Sequence, residues 1–324
     1  MKVAIYNSNT DFEIVEKPTP EISGGEILVK VRASGICGSD VIEWYRKKKK
    51  GSVLGHEIAG KIVESKSSKF KENDKVFVSH HVPCGECDFC INGQETACET
   101  LHNGNYDPGG FSEFVRVPKI NVERGTYLLD DLTYEEGTMI EPLACVIRAQ
   151  NLLDIKKGDK ILILGCGISG LLNIQLAKLN GAEVTATDID EYHMDKAKEF
   201  KADYVVNATK GIREKVDTVI VCTGAEAAVK DAYNCVERNG RIMFFAIPGK
   251  TIEIPGAILW RNELTVLSSY GAAPKDLEIA LTLIQQKKVN VMDLITHKLG
   301  LDQIEEGFKI VSEAKNSLKV VLVP

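Results

Sequence analysis

The chain has 324 residues, a net charge of −6 and a pI near 5.7, and so lacks the basic balance that nucleic-acid binding needs. Apolar residues make up 44% and charged residues 27%, an ordinary globular mix with room for about two domains and a sizeable core. The opening MKVAIYNSNT has no apolar h-region, and no uninterrupted apolar run is long enough for a membrane helix, which argues against a signal peptide and a membrane span. An odd cysteine total fits a reducing cytoplasm.

Up to about residue 147, short β-type runs alternate with Gly- and Pro-rich turns, as at 27–31, 75–78 and 114–117, and predict an all-β, barrel-like lobe. Within that lobe, Cys84, Cys87, Cys90 and Cys98 stand at C-x2-C-x2-C-x7-C spacing. Four thiolates this close can cage one Zn²⁺ tetrahedrally, each sulfur about 2.3 Å from the metal. An iron–sulfur run would want its fourth cysteine three residues on and followed by Pro; here seven residues intervene and Glu99 follows. A disulfide pair is the other reading, but nothing else looks secreted, so the spacing predicts a structural zinc.

From about residue 160 the pattern turns to strand–helix–strand. Residues 161–164 form a continuous apolar run, as in a strand buried on both faces, and 168–179 have helical spacing. Further strands are expected at 183–187, 218–222, 241–246 and 264–268, giving a parallel, doubly wound sheet. Beyond 270 the pattern predicts a helix at 275–286, a short strand, a helix at 301–312 and a last strand at 318–323.

Gly165, Gly167, Ile168 and Gly170 lie in a G-x-G-x-x-G run that follows a predicted strand and opens a helix, the context a dinucleotide site needs. Gly165 permits the turn, Gly167 lets a pyrophosphate approach, and Gly170 lets helix and strand pack closely. Asp188 closes the next strand, 18 residues past Gly170. Its carboxylate would accept hydrogen bonds from a ribose and repel a 2′-phosphate, which favours NAD over NADP. His193 and Lys196 stand downstream as groups that would soften that exclusion. Thr223 is assigned to the same cofactor-binding set.

Cys37 lies in GICGSD, His56 and Glu57 in GHE, and Glu141 in IEPLA. Singly, each has a bland reading: a packed thiol, a turn histidine, a helix cap. Together with the cysteine lobe and the nucleotide fingerprint, they resemble the zinc-dependent medium-chain dehydrogenases. GICGSD, GHE, the cysteine lobe, GGF at 109–111, EPLA, GCGISG and ITH at 295–297 occur in that family's order, over essentially the whole chain. Glu141-Pro142 in place of a cysteine is similar to the polyol (sorbitol) and threonine dehydrogenase branch.

That resemblance implies an α/β protein. A GroES-like β-barrel catalytic domain would comprise residues 1–146 and 271–324, and a Rossmann NAD-binding domain residues 147–270. It implies a cytoplasmic homodimer or homotetramer acting on a small-molecule alcohol, with no nucleic-acid or membrane partner. It implies a catalytic zinc held by Cys37, His56 and a carboxylate from Glu57 or Glu141, with Ser39 starting a proton relay. The chemistry agrees: a thiolate, a neutral imidazole and a carboxylate leave Zn²⁺ about neutral with one position open. The expected reaction is hydride transfer to NAD from a secondary alcohol of a polyol, cyclitol or sugar-derived substrate. Oxidation of an amino-acid alcohol such as threonine, a non-catalytic nucleotide-sensing protein, and a zinc-free quinone reductase are the alternatives.

Three departures stand out. Where many relatives carry a histidine five residues past the catalytic cysteine, this chain has Ile42. Ser269-Tyr270 replaces the Arg–Tyr pair of sorbitol dehydrogenases, which puts sorbitol itself in doubt. Residues 46–50 are consecutive cations; a solvated loop is the default reading, and a lure for an anionic substrate the sharper one. His80, His81 and His102, flanking the cysteine lobe, read as surface or turn residues. Cys145, Cys166, Cys222 and Cys235 read as packing residues.

Overall fold

The computed structural model describes residues 1–103, 106–212, 214–246, 249 and 251–324. The chain divides into two compact units, Met1–Ala144 with Gly271–Pro324, and Cys145–Tyr270; the first boundary falls inside the helix Ile140–Leu153.

The first unit is built on strand Ile27–Ile36, whose inward residues Ile27, Val29 and Val31 are fully buried. It pairs antiparallel with Glu57–Ser65, with Phe114–Val117 and with the C-terminal strand Lys319–Val323. Lys75–Ser79 and Thr126–Leu128 extend the sheet on one side, and Ile295–Gly300 adds to Lys319–Val323 in parallel on the other. A smaller sheet joins Asp11–Glu16, Lys2–Ser8 and Ser52–Val53. Phe12, Tyr6, Phe111 and Phe308 form an edge-to-face cluster, with the Phe12 and Phe308 centroids 4.6 Å apart. The lobe is not all β: helix Tyr134–Thr138 packs against the sheet, its N-terminus closed by a Thr133/Glu136 capping box. The helix expected at 301–312 starts as a 3₁₀ turn, Leu301–Gln303, and continues as Ile304–Glu313.

The second unit is a six-stranded, wholly parallel sheet. Its order is Tyr204–Asn207, Glu183–Asp188, Lys160–Leu164, Val216–Val221, Val236–Phe244, Thr265–Ser268. Helices Ile168–Leu179, Glu191–Glu199 and Glu226–Cys235 connect its strands. Strand order reverses on either side of Lys160–Leu164, so the glycine-rich turn that follows it sits at the topological switch point, where such sheets bind ligands.

Candidate active site and metal centres

The register of two strands assembles the first cluster. Gly35 pairs with Glu57, which places Cys37, just past the end of Ile27–Ile36, beside His56, just before the start of Glu57–Ser65. One ligand atom each from Cys37, His56 and Glu57 lie within 4.8 Å of one another. Gly35 is required by this arrangement: a Cβ there would run into the Glu57 carboxylate and stand 2.9 Å from Lys319 Cε. Glu141, on the first turn of Ile140–Leu153, is outside that ligand group but near enough for its charge to act on Lys319 and Tyr106.

Buried charges surround these ligands. Asp40 is fully buried; its Oδ2 accepts the Cys37 N–H at 3.1 Å and its Oδ1 lies 3.4 Å from His56 Nδ1. Burial pushes the Asp40 carboxyl up, but His56, Arg46 and the Cys37 N–H more than offset this and hold it below the usual range. Lys319 is 2% exposed; its ammonium meets the Glu57 carboxylate and donates to the Ile36 carbonyl at 3.3 Å. Burial would lower Lys319, yet the Glu57 charge leaves it raised, so it stays an ammonium. Glu57 therefore carries a fixed internal counter-charge. Ser39 Oγ donates to Cys37 Sγ at 3.4 Å and accepts from Arg46 Nη2 at 2.8 Å.

Two expectations need correction here. Arg46 is not part of a solvated cationic run: its guanidinium turns inward onto Ser39 and Asp40, while Lys47–Lys49 form an exposed 3₁₀ turn. His80 is not a surface residue. It is 9% exposed, its ring centroid is 4.9 Å from that of His56, and its Nδ1 has no hydrogen-bond partner among the described residues. Burial, then the nearby charges of His81, His56, Arg46 and Lys49, keep it neutral.

The four cysteines form the second cluster. Sγ–Sγ distances are 3.8 Å for Cys84–Cys90, 3.6 Å for Cys87–Cys90 and 3.6 Å for Cys84–Cys98. Four sulfurs about 2.3 Å from one tetrahedral centre lie about 3.8 Å apart, so the spacing fits zinc. Backbone N–H groups of Cys84, Gly85, Glu86 and Cys87 point at the sulfurs from 3.3 to 3.5 Å. Without a cation such sulfurs compete for negative charge: burial raises the Cys90 thiol to about 12, whereas at Cys98 N–H donors outweigh burial and bring it to about 6. None of the nine cysteines is held in a disulfide, which leaves the cluster available to a metal.

The third arrangement lies in the second unit. Gly165 turns at φ 97°, and Ile168 begins the helix Ile168–Leu179. A Cβ on Gly170 would collide with the Gly165 carbonyl, so glycine there serves close packing. A Cβ on Gly167 would meet nothing within 4 Å: the fold does not need glycine there, and the open approach to the helix N-terminus suits a pyrophosphate. Asp188 ends its strand and accepts the Cys166 N–H at 2.7 Å, with His193 Nδ1 3.8 Å away. Thr223 flanks the same turn; a Cβ on Gly165 would stand 3.1 Å from its Cβ.

Comparison with known proteins converges on one family. Residues 23–124 match the alcohol dehydrogenase GroES-like domain, and residues 169–286 match the zinc-binding dehydrogenase domain. A sorbitol dehydrogenase of Halalkalibacterium halodurans is 30% identical over 97% of this chain and 96% of its own. The chain belongs to the zinc-dependent medium-chain alcohol dehydrogenases. An L-threonine 3-dehydrogenase of Rhizobium rhizogenes is 30% identical over 94% of this chain and 93% of its own. A protein described as a zinc-binding dehydrogenase, from Sinorhizobium meliloti 1021 and solved bound to NADP, superposes with a TM-score of 0.88. It shares 27% identity over 100% of this chain and 99% of its own. This dehydrogenase thus has a GroES-like unit and a Rossmann unit, and among the described residues no helix is long and apolar enough to cross a membrane.

Sequence reasoning passed over Asp40 and Lys319, and read Arg46 as one of a cationic run and His80 as a surface or turn residue. Asp40 stands inside the GICGSD motif and carried a signal; Lys319 sits in an otherwise apolar strand, where a lone lysine is itself a flag for a buried partner.

Proposed function

We propose that the chain is an NAD-dependent, zinc-containing dehydrogenase that oxidises a secondary alcohol of a polyol, cyclitol or sugar-derived substrate. Residues 1–146 and 271–324 would form its catalytic domain and residues 147–270 its NAD-binding domain. The observation that carries this reading is the convergence of Cys37, His56 and Glu57 on one point, each tied to a buried charged or hydrogen-bonding partner. Cys37 and His56, with a carboxylate from Glu57 or Glu141, would hold one zinc; Cys84, Cys87, Cys90 and Cys98 would hold the other. When bound, zinc supplies Lewis acidity at the alcohol oxygen, and the nicotinamide accepts the hydride.

The chain's own groups do the rest. The Ser39 hydroxyl can accept the alcohol proton while donating its own. Asp40 holds His56 by Nδ1, so the other ring nitrogen is the one presented as a ligand. Gly165, Gly167, Ile168 and Gly170 would seat the pyrophosphate, with Asp188 and Thr223 beside them. Asp188 favours NAD by repelling a 2′-phosphate, although His193 at 3.8 Å weakens that repulsion and a structural neighbour binds NADP.

The threonine reading has its own support in the Rhizobium relative. Reduction of NAD and NADP measured against polyols, inositols, sugar phosphates and threonine separates the two. A polyol, cyclitol or sugar derivative is expected as best substrate, with NAD preferred. Asp188→Ala is expected to shift the NAD:NADP ratio of kcat/KM toward NADP by about tenfold, the equivalent of about 1.4 kcal/mol. Best turnover on threonine selects the second reading, and no turnover on any alcohol selects the non-catalytic one.

A further inference from the structure

Ile42 leaves the expected relay partner of Ser39 missing, yet that hydroxyl has a cationic partner. Arg46 Nη2 donates to Ser39 Oγ at 2.8 Å and lies 2.8 Å from Asp40 Oδ1, while Nε donates to the Ser39 carbonyl at 3.1 Å. The far side of each contacted group reaches a proposed zinc ligand. Ser39 Oγ is 3.4 Å from Cys37 Sγ, Asp40 Oδ1 is 3.4 Å from His56 Nδ1, and Asp40 Oδ2 takes the Cys37 N–H. Local structure makes the reach possible: the Arg46 N–H bonds to the Ile42 carbonyl, so one short helical turn, Glu43–Arg46, folds the chain back over the Cys37 loop. The Arg46 side chain is 14% exposed, whereas each of Lys47 to Lys50 is solvent-exposed.

We propose that Arg46 is a positioning residue for the Cys37–His56 pair, one planar fork clamping Ser39 and Asp40 so that both ligands are held before metal binds. The proposal rests on the zinc reading of those two residues. A guanidinium has donors only and keeps its proton. It occupies one lone pair of Ser39 Oγ, directs the hydroxyl hydrogen toward Cys37 Sγ, and leaves the second lone pair to accept. It also takes no proton onward, so a proton received by Ser39 leaves by another route. Lysine cannot replace it: Nη2 meets Ser39 Oγ and Asp40 Oδ1 while Nε, fixed in the same plane, holds the Ser39 carbonyl, and a point charge on a flexible stem has no second donor set in that geometry.

Release of zinc to a chromophoric chelator, with the spectrum of the cobalt-substituted protein, tests this without reference to turnover. Arg46→Gln is expected to speed the release of one zinc equivalent by about 10- to 100-fold, the size seen when groups behind metal ligands are removed, and to shift the cobalt–thiolate band. The other equivalent should leave at the parent rate. Arg46→Lys should follow Arg46→Gln to within about threefold, since charge without the fork does not clamp. Ser39→Ala should accelerate release less in the Arg46→Lys background than in the parent, because the two share one contact. Parent-like release and spectrum in Arg46→Lys, the variant that decides the matter if Arg46→Gln does not fold, would overturn the proposal. So would equal acceleration by Lys47→Gln. A parent protein holding zinc only in the four-cysteine lobe would sink the ligand reading itself, and the clamp with it.

Discussion

The two ligand sets of the GroES-like unit are held by opposite means. Cys84, Cys87, Cys90 and Cys98 come from one short stretch, three of them half-buried, and their sulfurs are supported by backbone N–H groups and by one another. Cys37 and His56 come from the ends of two paired strands and are backed by buried Asp40, Glu57 and Lys319. Charges so deeply buried must be satisfied by the fold itself, at a cost that sheet packing offsets. If, as proposed, each set holds a zinc, the cage would depend on that metal for shape, whereas the second set is shaped by the sheet and would then receive its metal. The first should couple zinc to folding, the second to turnover.

The largest effects should fall on either side of that division. Cys90→Ala removes a cage ligand, and structural zinc contributes apparent binding free energies of about 10–16 kcal/mol in small domains, so the lobe should lose its fold and the protein its solubility or assembly. Cys37→Ala should instead leave a folded protein with one zinc equivalent fewer and no measurable turnover. Elemental analysis beside thermal unfolding distinguishes the two. Equal loss of melting temperature in both variants would erase the contrast.

A second variant probes the buried wiring directly. Lys319→Met leaves the Glu57 carboxylate buried without its counter-charge, and breaking such a pair from one side costs about 3–5 kcal/mol. Adding Glu57→Gln should recover much of that loss, because the stranded charge is gone. Denaturant unfolding of the single and double variants reads both numbers. A single variant as stable as the parent would mean the pair lies in a wetter place than its burial implies.

How much of this was legible in sequence follows from the same contrast. That the four cysteines come together was readable, since their spacing is local, and so was the strand–turn–helix around Gly165, since its parts follow one another. The parallel sheet was readable because its apolar runs stand alone in their windows. The wiring of the second set was not. Lys319 and Glu57 are far apart in sequence and meet only once the C-terminal strand pairs with Ile27–Ile36. Arg46 looked like one cation among five until a short helical turn aimed it inward. His80 read as a turn residue because nothing local reports that His56 packs against it.

The smallest effect tests whether the sheet behind the second set can be loosened alone. Helix Tyr134–Thr138 lies directly on strand Glu57–Ser65: a Cβ on Gly137 would stand 2.8 Å from that of Ala59. Its start is fixed reciprocally, Thr133 Oγ1 accepting the Glu136 N–H at 3.1 Å and Glu136 Oε2 accepting the Thr133 N–H at 2.8 Å. Thr133→Ala should cost about 1 kcal/mol at neutral pH. Burial pushes the Glu136 carboxyl up, but Lys287 and Thr133 more than offset this and hold it below its ordinary 4.5. A carboxyl depressed in the fold stabilises above its unfolded value and ceases to do so as pH falls through the folded one. Glu136→Gln should therefore remove only the Glu136 share of the stability lost below pH 4.5, leaving the share of Asp40, Glu135 and the other depressed carboxyls in place. In both variants the Cys37–His56 set should release zinc somewhat faster while the cysteine cage keeps its parent rate. Equal acceleration at the two sets would show that the sheet supports both, and that the cage is less self-sufficient than its local spacing implies.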